Sequence, residues 1–185
     1  MKMYRRDFIK IISAAVGYSA LGTGLMASSR GQSTSTKNSL VFDAMGEIRD
    51  VYPRKLIKEI LDSGLNAITV TLCDPKTFEH EAFEAAKDGI LHYDRLIAKY
   101  PDLYTKAIKV SDINISRQEG KLAIFYLFQN STQFSRDLDL VDTFYELGVR
   151  STQITYNYQN WAGAGCKERT GAGLTYFGLE LVEKM

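Results

Sequence analysis

Residues 120–178 hold the pattern that most constrains the fold of this chain. An unbroken apolar run, residues 122–128, ends at Gln129-Asn130, and a second apolar run covers Val149–Tyr156. Between them, apolar residues recur at helical spacing over residues 138–147, and Gly148 follows. Apolar run, amphipathic helix and apolar run in succession are typical of a βαβ unit. Because the runs do not alternate with polar residues, we expect strands buried on both faces of a parallel sheet.

The polar residues that directly follow these runs indicate where a functional site would lie. In parallel α/β sheets, binding and catalytic residues collect where the strands end and the following loops begin. We therefore expect a site on the face marked by Gln129-Asn130 and Tyr156-Asn157.

The rest of the chain repeats this alternation of strand and helix. The predicted strands are residues 40–42, 67–72, 104–110, 122–128 and 149–156, and the predicted helices are residues 53–63, 78–100, 112–119, 138–147 and 174–185. Pro53 suits a first helical turn, and Ser111 is the predicted N-cap of the third helix. The glycine-rich segment 160–173 is predicted to be a loop. Alternation of this kind favours an α/β fold with a parallel sheet.

Composition sets broad limits on what the chain can be. Its 185 residues suit one domain, and 45% hydrophobic with 24% charged residues is ordinary for a globular protein. A formal net charge of +1 gives no indication of nucleic-acid binding. The two cysteines fit neither a zinc-finger pattern nor a dense disulfide scaffold.

Residues 1–29 have the pattern of an export signal. The segment Arg5-Arg6-Asp7-Phe8-Ile9-Lys10 resembles a twin-arginine signal, and a short apolar stretch rich in alanine and glycine follows it. An uncleaved membrane anchor is the alternative, but this stretch is short for a span of about 20 apolar residues. We expect recognition of Arg5 and Arg6 by the twin-arginine machinery and export to the periplasm. Residues 30–38 are predicted to be a flexible lead-in.

Three segments resemble the membrane dipeptidase (renal dipeptidase, peptidase M19) family. They are GKLAIFYLFQN at residues 120–130, FYELGVRSTQITYN at 144–157 and GAGLTYFGLELVEKM at 171–185. The resemblance runs from about Val41 to Met185 and implies a (β/α)8 TIM-type barrel that hydrolyses dipeptides with zinc. A complete barrel typically needs about 250 residues. We therefore expect residues 39–185 to form the N-terminal portion of such a barrel.

The resemblance also implies which residues occupy the family's metal site. Met45 and Glu47 match a His-x-Asp motif after the first strand, and Gln129 matches a metal-bridging glutamate. Tyr156 matches a catalytic histidine proposed to orient the substrate carbonyl. A thioether is a poor replacement for imidazole on Zn²⁺, and a neutral carboxamide cannot bridge two cations as a carboxylate does.

These departures lead us to expect that zinc binds weakly or not at all. Each residue also has a structural interpretation: Met45 as core filler, Glu47 as a loop carboxylate, and Gln129-Asn130 as caps of the strand end. His80 and His92 lie within the long predicted helix, where we expect them to face solvent and not to bind a metal. If zinc did bind, Asp43, Asp74 and Glu168 would be the first alternative ligands.

Cys73 and Cys166 both follow predicted strands on the face expected to hold the site. Export to an oxidising compartment would allow them to form a disulfide. Two free thiols are the alternative, because Cys166 lies in the glycine-rich loop.

Three functions remain open from the sequence. The chain could be a dipeptidase-like enzyme with altered ligands and a different substrate or metal, a non-catalytic exported binding protein that keeps the pocket, or an inactive fragment of a longer gene product. The partner that the resemblance implies is a small dipeptide-like substrate. A partial barrel exposes strand edges and an apolar face, so we also expect self-association.

Overall fold

The computed structural model of this chain describes residues 39–185. The predicted export signal with Arg5 and Arg6, and the predicted lead-in, therefore lie outside the described residues. The strands are β1 (Phe42–Gly46), β2 (Ala67–Thr71), β3 (Tyr104–Lys106), β4 (Leu122–Phe128) and β5 (Val149–Thr152). The helices are α1 (Arg54–Asp62), α2 (Glu79–Lys99), α3 (Val110–Gln118), α4 (Asp139–Glu146) and α5 (Tyr176–Lys184), with a 3₁₀ helix at Thr132–Phe134.

The five strands form one parallel sheet, as the alternation of strands and helices predicts. β2 lies between β1 and β4. The opposite edge of β4 is divided between two strands, because β3 pairs with residues 122–124 and β5 pairs with residues 126–128. The strands therefore do not lie in sequence order along the sheet, because β4 and not β3 is the neighbour of β2. Strand β3 has only three residues, and the chain leaves the sheet soon after the Ala107 N–H donates to the Ile124 carbonyl.

Several element boundaries differ from the sequence prediction. β1 starts at Phe42 and continues through Met45, with a register shift between Asp43 and Gly46. β5 ends at Thr152, because β4 ends at Phe128, whose carbonyl accepts the N–H of Gln153.

The N-terminus of α3 is also capped differently from the prediction. The helix follows Lys109 and not Ser111. The Asp112 carboxylate accepts the backbone N–H groups of Ile108 and Lys109 and so satisfies donors ahead of the first turn.

The main core lies between the sheet and the helices α1, α2, α4 and α5. Alternate residues of β2 and β4 enter it, and helix residues such as Ile57, Leu96 and Leu181 cover them. Phe128, Phe134 and Phe144 form an aromatic cluster with ring centroids 5.0–5.9 Å apart. Edge-to-face rings of this kind contribute about 0.5–1.5 kcal/mol per pair beyond area burial.

A smaller core covers part of the opposite face of the sheet. Ile113 of α3 packs against Ala67, Ala107 and Ala123 there. The prediction that the unbroken apolar runs are buried on both faces is thus confirmed for β4, in which all residues except the partly buried Phe125 are buried. It is wrong for β5, in which Ser151 is exposed and Arg150 and Thr152 are only partly buried.

No helix within residues 39–185 is both long enough and apolar enough to cross a membrane.

Candidate ligand-binding pocket at the strand ends

A pocket of about 490 Å³ opens at the carboxyl ends of β1, β2 and β4. Met45, Glu47 and Gln129, the three positions matched to metal ligands, all line it. Thr71, Cys73, Asp74 and Tyr93 are among the other lining residues. Parallel strands bring these residues together because their carboxyl ends share one edge of the sheet.

Met45 and Gln129 contact each other directly. The Gln129 Nε2 donates to the Met45 Sδ at 2.6 Å, although 84 residues separate the two in sequence. The Met45 side chain is 53% exposed, so the interpretation as core filler does not hold. The two positions that the resemblance matched to a histidine and a glutamate ligand therefore hold a thioether and a carboxamide. These two groups are hydrogen-bonded to one another.

Glu47 is paired with a neighbouring cation. Arg49 Nη2 donates to one carboxylate oxygen at 2.8 Å, and Arg49 Nε lies 2.7 Å from the other. This hydrogen bonding, and the charge of Arg49, hold the pKa of Glu47 below its ordinary value. The carboxylate is ionised but its charge is already compensated at the surface.

Cys73 is the half-buried thiol of the pocket. Its Sγ accepts a hydrogen bond from the Gln133 Nε2 at 3.1 Å, and burial raises the pKa of the thiol. The adjacent Asp74 Oδ1 accepts the backbone N–H of Lys76 at 2.9 Å and so fixes the turn after β2.

Tyr156 is not among the residues that line this pocket. Its backbone carbonyl accepts the N–H of Cys166 at 3.1 Å, within the glycine-rich loop. The Cys166 thiol is exposed and donates to the Asn157 Oδ1 at 3.6 Å. Cys73 and Cys166 are free thiols in the structure, which is the alternative to the possible disulfide, and each sulfur contacts a different amide side chain.

Asn160 is an organising residue that sequence reasoning missed. Its Nδ2 donates to the Asn130 Oδ1 at 2.7 Å and to the Ile154 carbonyl at 2.8 Å, while its Oδ1 accepts two backbone N–H groups from residues 162 and 163. The buried Asn130 in turn donates to the Pro75 carbonyl. The loops after β2, β4 and β5 are therefore tied together, and the strand-end role expected for Asn130 is observed.

Tyr93 is a second residue without a sequence-level functional signal. It projects from α2, and its hydroxyl donates to the Ile48 carbonyl at 3.2 Å. Burial raises its pKa to about 12, so the hydroxyl stays protonated at neutral pH. Helical periodicity alone marks this residue only as inward-facing.

The donor set does not fit a hydrolytic metal centre. Within residues 39–185, no three His, Cys, Asp or Glu side chains are placed to hold a metal ion. His80 and His92 are exposed on α2, as expected, and His92 Nε2 lies 3.7 Å from Asp50 Oδ1. The pocket supplies a thioether, a carboxamide and a compensated carboxylate where a divalent ion needs imidazoles and free carboxylates.

The model of the family "Membrane dipeptidase (Peptidase family M19)" matches residues 46–185 of this chain. Among curated proteins, an uncharacterized protein in the PQQ-III 3′ region of Acinetobacter calcoaceticus is 35% identical over 91 residues, which cover 44% of this chain and 29% of that protein.

Solved structures share the fold. An amidohydrolase from Pseudomonas aeruginosa is 32% identical, with a TM-score of 0.69, and the match covers 80% of this chain and 43% of that one. A metallo peptidase from Rhodobacter sphaeroides, solved with a phosphinate mimic of the dipeptide L-Ala-D-Ala, is 14% identical with a TM-score of 0.68, covering 78% and 55%. The chain thus spans about half the length, or less, of these relatives, and it shares with them part of a TIM-type barrel.

Proposed function

The chain belongs to the membrane dipeptidase family, peptidase family M19, and from that premise we propose that its strand-end pocket binds a dipeptide-like molecule without hydrolysing it at a significant rate. The single observation that carries the proposal is the direct contact between Met45 and Gln129 inside the pocket. Met45 and Gln129 lie at the strand ends where the resemblance expects metal ligands, but they carry a thioether and a carboxamide in place of an imidazole and a carboxylate.

The pocket retains groups suited to a small zwitterion. Asp74 offers a carboxylate for an α-ammonium group, and the Gln129 amide can hydrogen-bond a peptide carbonyl. The dipeptide mimic bound to the related Rhodobacter metallo peptidase supports a ligand of this size and class.

Hydrolysis by this family type requires a metal that acidifies water and polarises the scissile carbonyl. The described residues offer no such ligand set. Tyr156, which the resemblance matched to a histidine that orients the substrate carbonyl, is not among the residues that line the pocket. Metal-dependent dipeptide hydrolysis, with zinc as the metal, is the second candidate function. Family membership favours it, together with relatives that extend well beyond the matched region.

Two measurements on the full chain distinguish the two candidate functions, dipeptide binding and zinc-dependent hydrolysis. We expect binding of a dipeptide such as Ala-Ala by isothermal titration calorimetry, together with sub-stoichiometric zinc and no release of free amino acids. Asp74→Asn should weaken binding about tenfold through loss of the ammonium partner, roughly 1.4 kcal/mol. Asp62→Asn, at the end of α1 and outside the pocket lining, is the matched control.

Stoichiometric zinc with dipeptide cleavage by the unmodified chain would contradict the proposal, and it would show that Met45, Glu47 and Gln129 were wrongly matched. Restoration provides a complementary test. Met45→His, Glu47→Asp and Gln129→Glu together should raise zinc content, whereas Gln129→Glu alone should not, because the imidazole partner is still missing.

We also propose that the protein is exported to the periplasm by the twin-arginine machinery. The support is the arginine pair followed by a short apolar stretch. Replacing both Arg5 and Arg6 by lysine keeps the charge and removes the guanidinium groups, and it should leave the protein in the cytoplasm on fractionation. Normal periplasmic levels of this double variant would rule the signal out.

A further inference from the structure

Two sulfur-bearing side chains line the pocket described above. Met45 approaches it from β1, and Cys73 approaches it from the residues just after β2. Thioethers and thiolates are soft ligands, which select soft cations such as Cu(I) over hard cations such as Mg²⁺ or Ca²⁺. The thioether of Met45 is a poor replacement for the imidazole of a hydrolytic zinc site, whereas it suits Cu(I), so the pair of sulfurs favours the softer ion.

The strand register explains why the two sulfurs share one cavity. Thr71 of β2 pairs with Leu127 of β4, and two residues beyond this pair stand Cys73 and Gln129. The Gln129 amide in turn contacts the Met45 sulfur at 2.6 Å. Three neighbouring strands thus deliver a thiol, a carboxamide and a thioether to the same opening.

The surroundings of the Cys73 sulfur suit a metal-bound thiolate. The Gln133 Nε2 donates to this sulfur at 3.1 Å, and donors of this kind orient and tune ligating thiolates. The Gln133 side chain is fully buried, and its Oε1 has no hydrogen-bond partner among the described residues. An unpaired buried amide oxygen costs about 1–3 kcal/mol. A functional role for the Gln133 N–H at the Cys73 sulfur would account for this cost.

We propose that Met45 and Cys73 form a binding site for a soft monovalent cation, Cu(I) or Ag(I), with Gln133 supporting the cysteine sulfur. On binding, the Cys73 thiol releases its proton to solvent and the sulfur forms the bond to the cation, with no change in oxidation state. The proposed cation site lies in the same pocket as the proposed dipeptide site, but its assignment does not rest on dipeptide binding or hydrolysis.

Charge and softness both suit a monovalent soft ion. The Cys73 thiolate alone neutralises the single positive charge of Cu(I) or Ag(I), and both sulfurs are soft ligands. Glu47 adds little negative charge to the site because Arg49 already pairs with it.

The test is competition for Cu(I) under anaerobic, reducing conditions on the full chain. With bathocuproine disulfonate as the competing chelator, we expect one Cu(I) per chain, and Ag(I) should displace it. Zn²⁺ should bind at least 100-fold more weakly by equilibrium dialysis. Cys73→Ser and Met45→Leu should each lower Cu(I) affinity at least tenfold, and Cys166→Ser should leave it unchanged.

The variants separate ligation from folding. Met45 is 53% exposed on an edge strand, and leucine conserves its volume, so Met45→Leu should keep the circular dichroism spectrum and the melting temperature. Failure of the unmodified chain to retain Cu(I) would overturn the proposal. So would equal Cu(I) affinity in Cys73→Ser, or loss of Cu(I) on replacing Cys166 alone.

Discussion

At the residue scale, the hydroxyl of Tyr126 contacts the ion pair formed by Asp94 and Lys106. The side chain is fully buried, and its hydroxyl donates to the Asp94 Oδ1 at 2.8 Å. Lys106 Nζ lies 2.7 Å from the same oxygen and 4.7 Å from the centre of the Tyr126 ring. The Asp94 carboxylate of α2 is thus hydrogen-bonded both to the Tyr126 hydroxyl of β4 and to the Lys106 ammonium group of β3.

This arrangement predicts loss of stability at alkaline pH. Burial, followed by the hydrogen bond to Asp94, raises the pKa of Tyr126, and burial raises the pKa values of Tyr93 and Tyr104 to about 12 from an ordinary value of 10. The folded state therefore holds protons that the unfolded state loses first. The stabilisation should be complete below pH 10 and decline from pH 10 to 12, as thermal unfolding by circular dichroism would report.

Tyr126→Phe tests the same group at neutral pH. Removing a hydrogen bond to a charged acceptor should lower the free energy of unfolding by about 1.5–3 kcal/mol in urea denaturation. Tyr176→Phe is the matched control, because Tyr176 is 89% exposed and should change nothing. Equal effects of the two substitutions would contradict the assigned role of Tyr126.

At the element scale, Gly89 allows α2 to approach β2 closely. A Cβ atom placed on Gly89 would lie 2.0 Å from the Leu72 carbonyl oxygen and 2.7 Å from the Leu72 carbonyl carbon. Both are backbone atoms, which cannot move aside as a flexible side chain would. Because Leu72 directly precedes Cys73 and Asp74, this contact also positions one wall of the pocket.

Gly89→Ala should therefore have two opposing effects on the free energy of unfolding. Helix propensity alone would favour alanine by about 1 kcal/mol. The backbone clash should outweigh this and lower the free energy of unfolding by about 1–3 kcal/mol. Gly171→Ala, where a Cβ would meet nothing within 4 Å, should be near neutral in the same urea denaturation. A Gly89→Ala protein as stable as the parent would mean that α2 is packed differently.

Sequence patterning predicted the long elements well and the short ones poorly. The observed β4 matches the predicted run at Leu122–Phe128, and the observed α2 (Glu79–Lys99) differs from the prediction by one residue at each end. β3 and β5 are shorter than their apolar runs, because a strand ends when its neighbour offers no further partner. The order β2–β4–β3 follows from pairing across long stretches of sequence, which periodicity does not encode.

The place of the candidate site was predictable, but its internal contacts were not. Gln129 marks the end of a buried strand, and parallel strands end at a common edge, so Met45, Glu47 and Gln129 were expected to meet. Tyr156 was expected on the same face but does not line the pocket. Gln133 and Asn160 act through partners 60 and 30 residues away, respectively. Neither residue lies in a periodic pattern that would mark it from sequence alone.

At the scale of the whole molecule, the sheet presents two open edges. β1 pairs only with β2, and β5 pairs only with β4, among the described strands. Apolar side chains near the β1 edge are exposed, including Leu40, Val41 and Phe42. An edge with unpaired backbone groups and apolar side chains is a surface on which further chains can pair.

We therefore predict that the full chain self-associates in a concentration-dependent way, with dimers or larger species in size-exclusion chromatography with light scattering. Val41→Lys, at the residue directly before β1, should lower the associated fraction, because a lysine beside a sheet edge must be desolvated when another strand pairs there. Val51→Lys is the matched control: Val51 is 79% exposed but lies in a turn outside the strands. A monodisperse, cooperatively melting parent protein would contradict this prediction, as would equal effects of the two lysine substitutions, since association would then respond to net charge and not to the β1 edge.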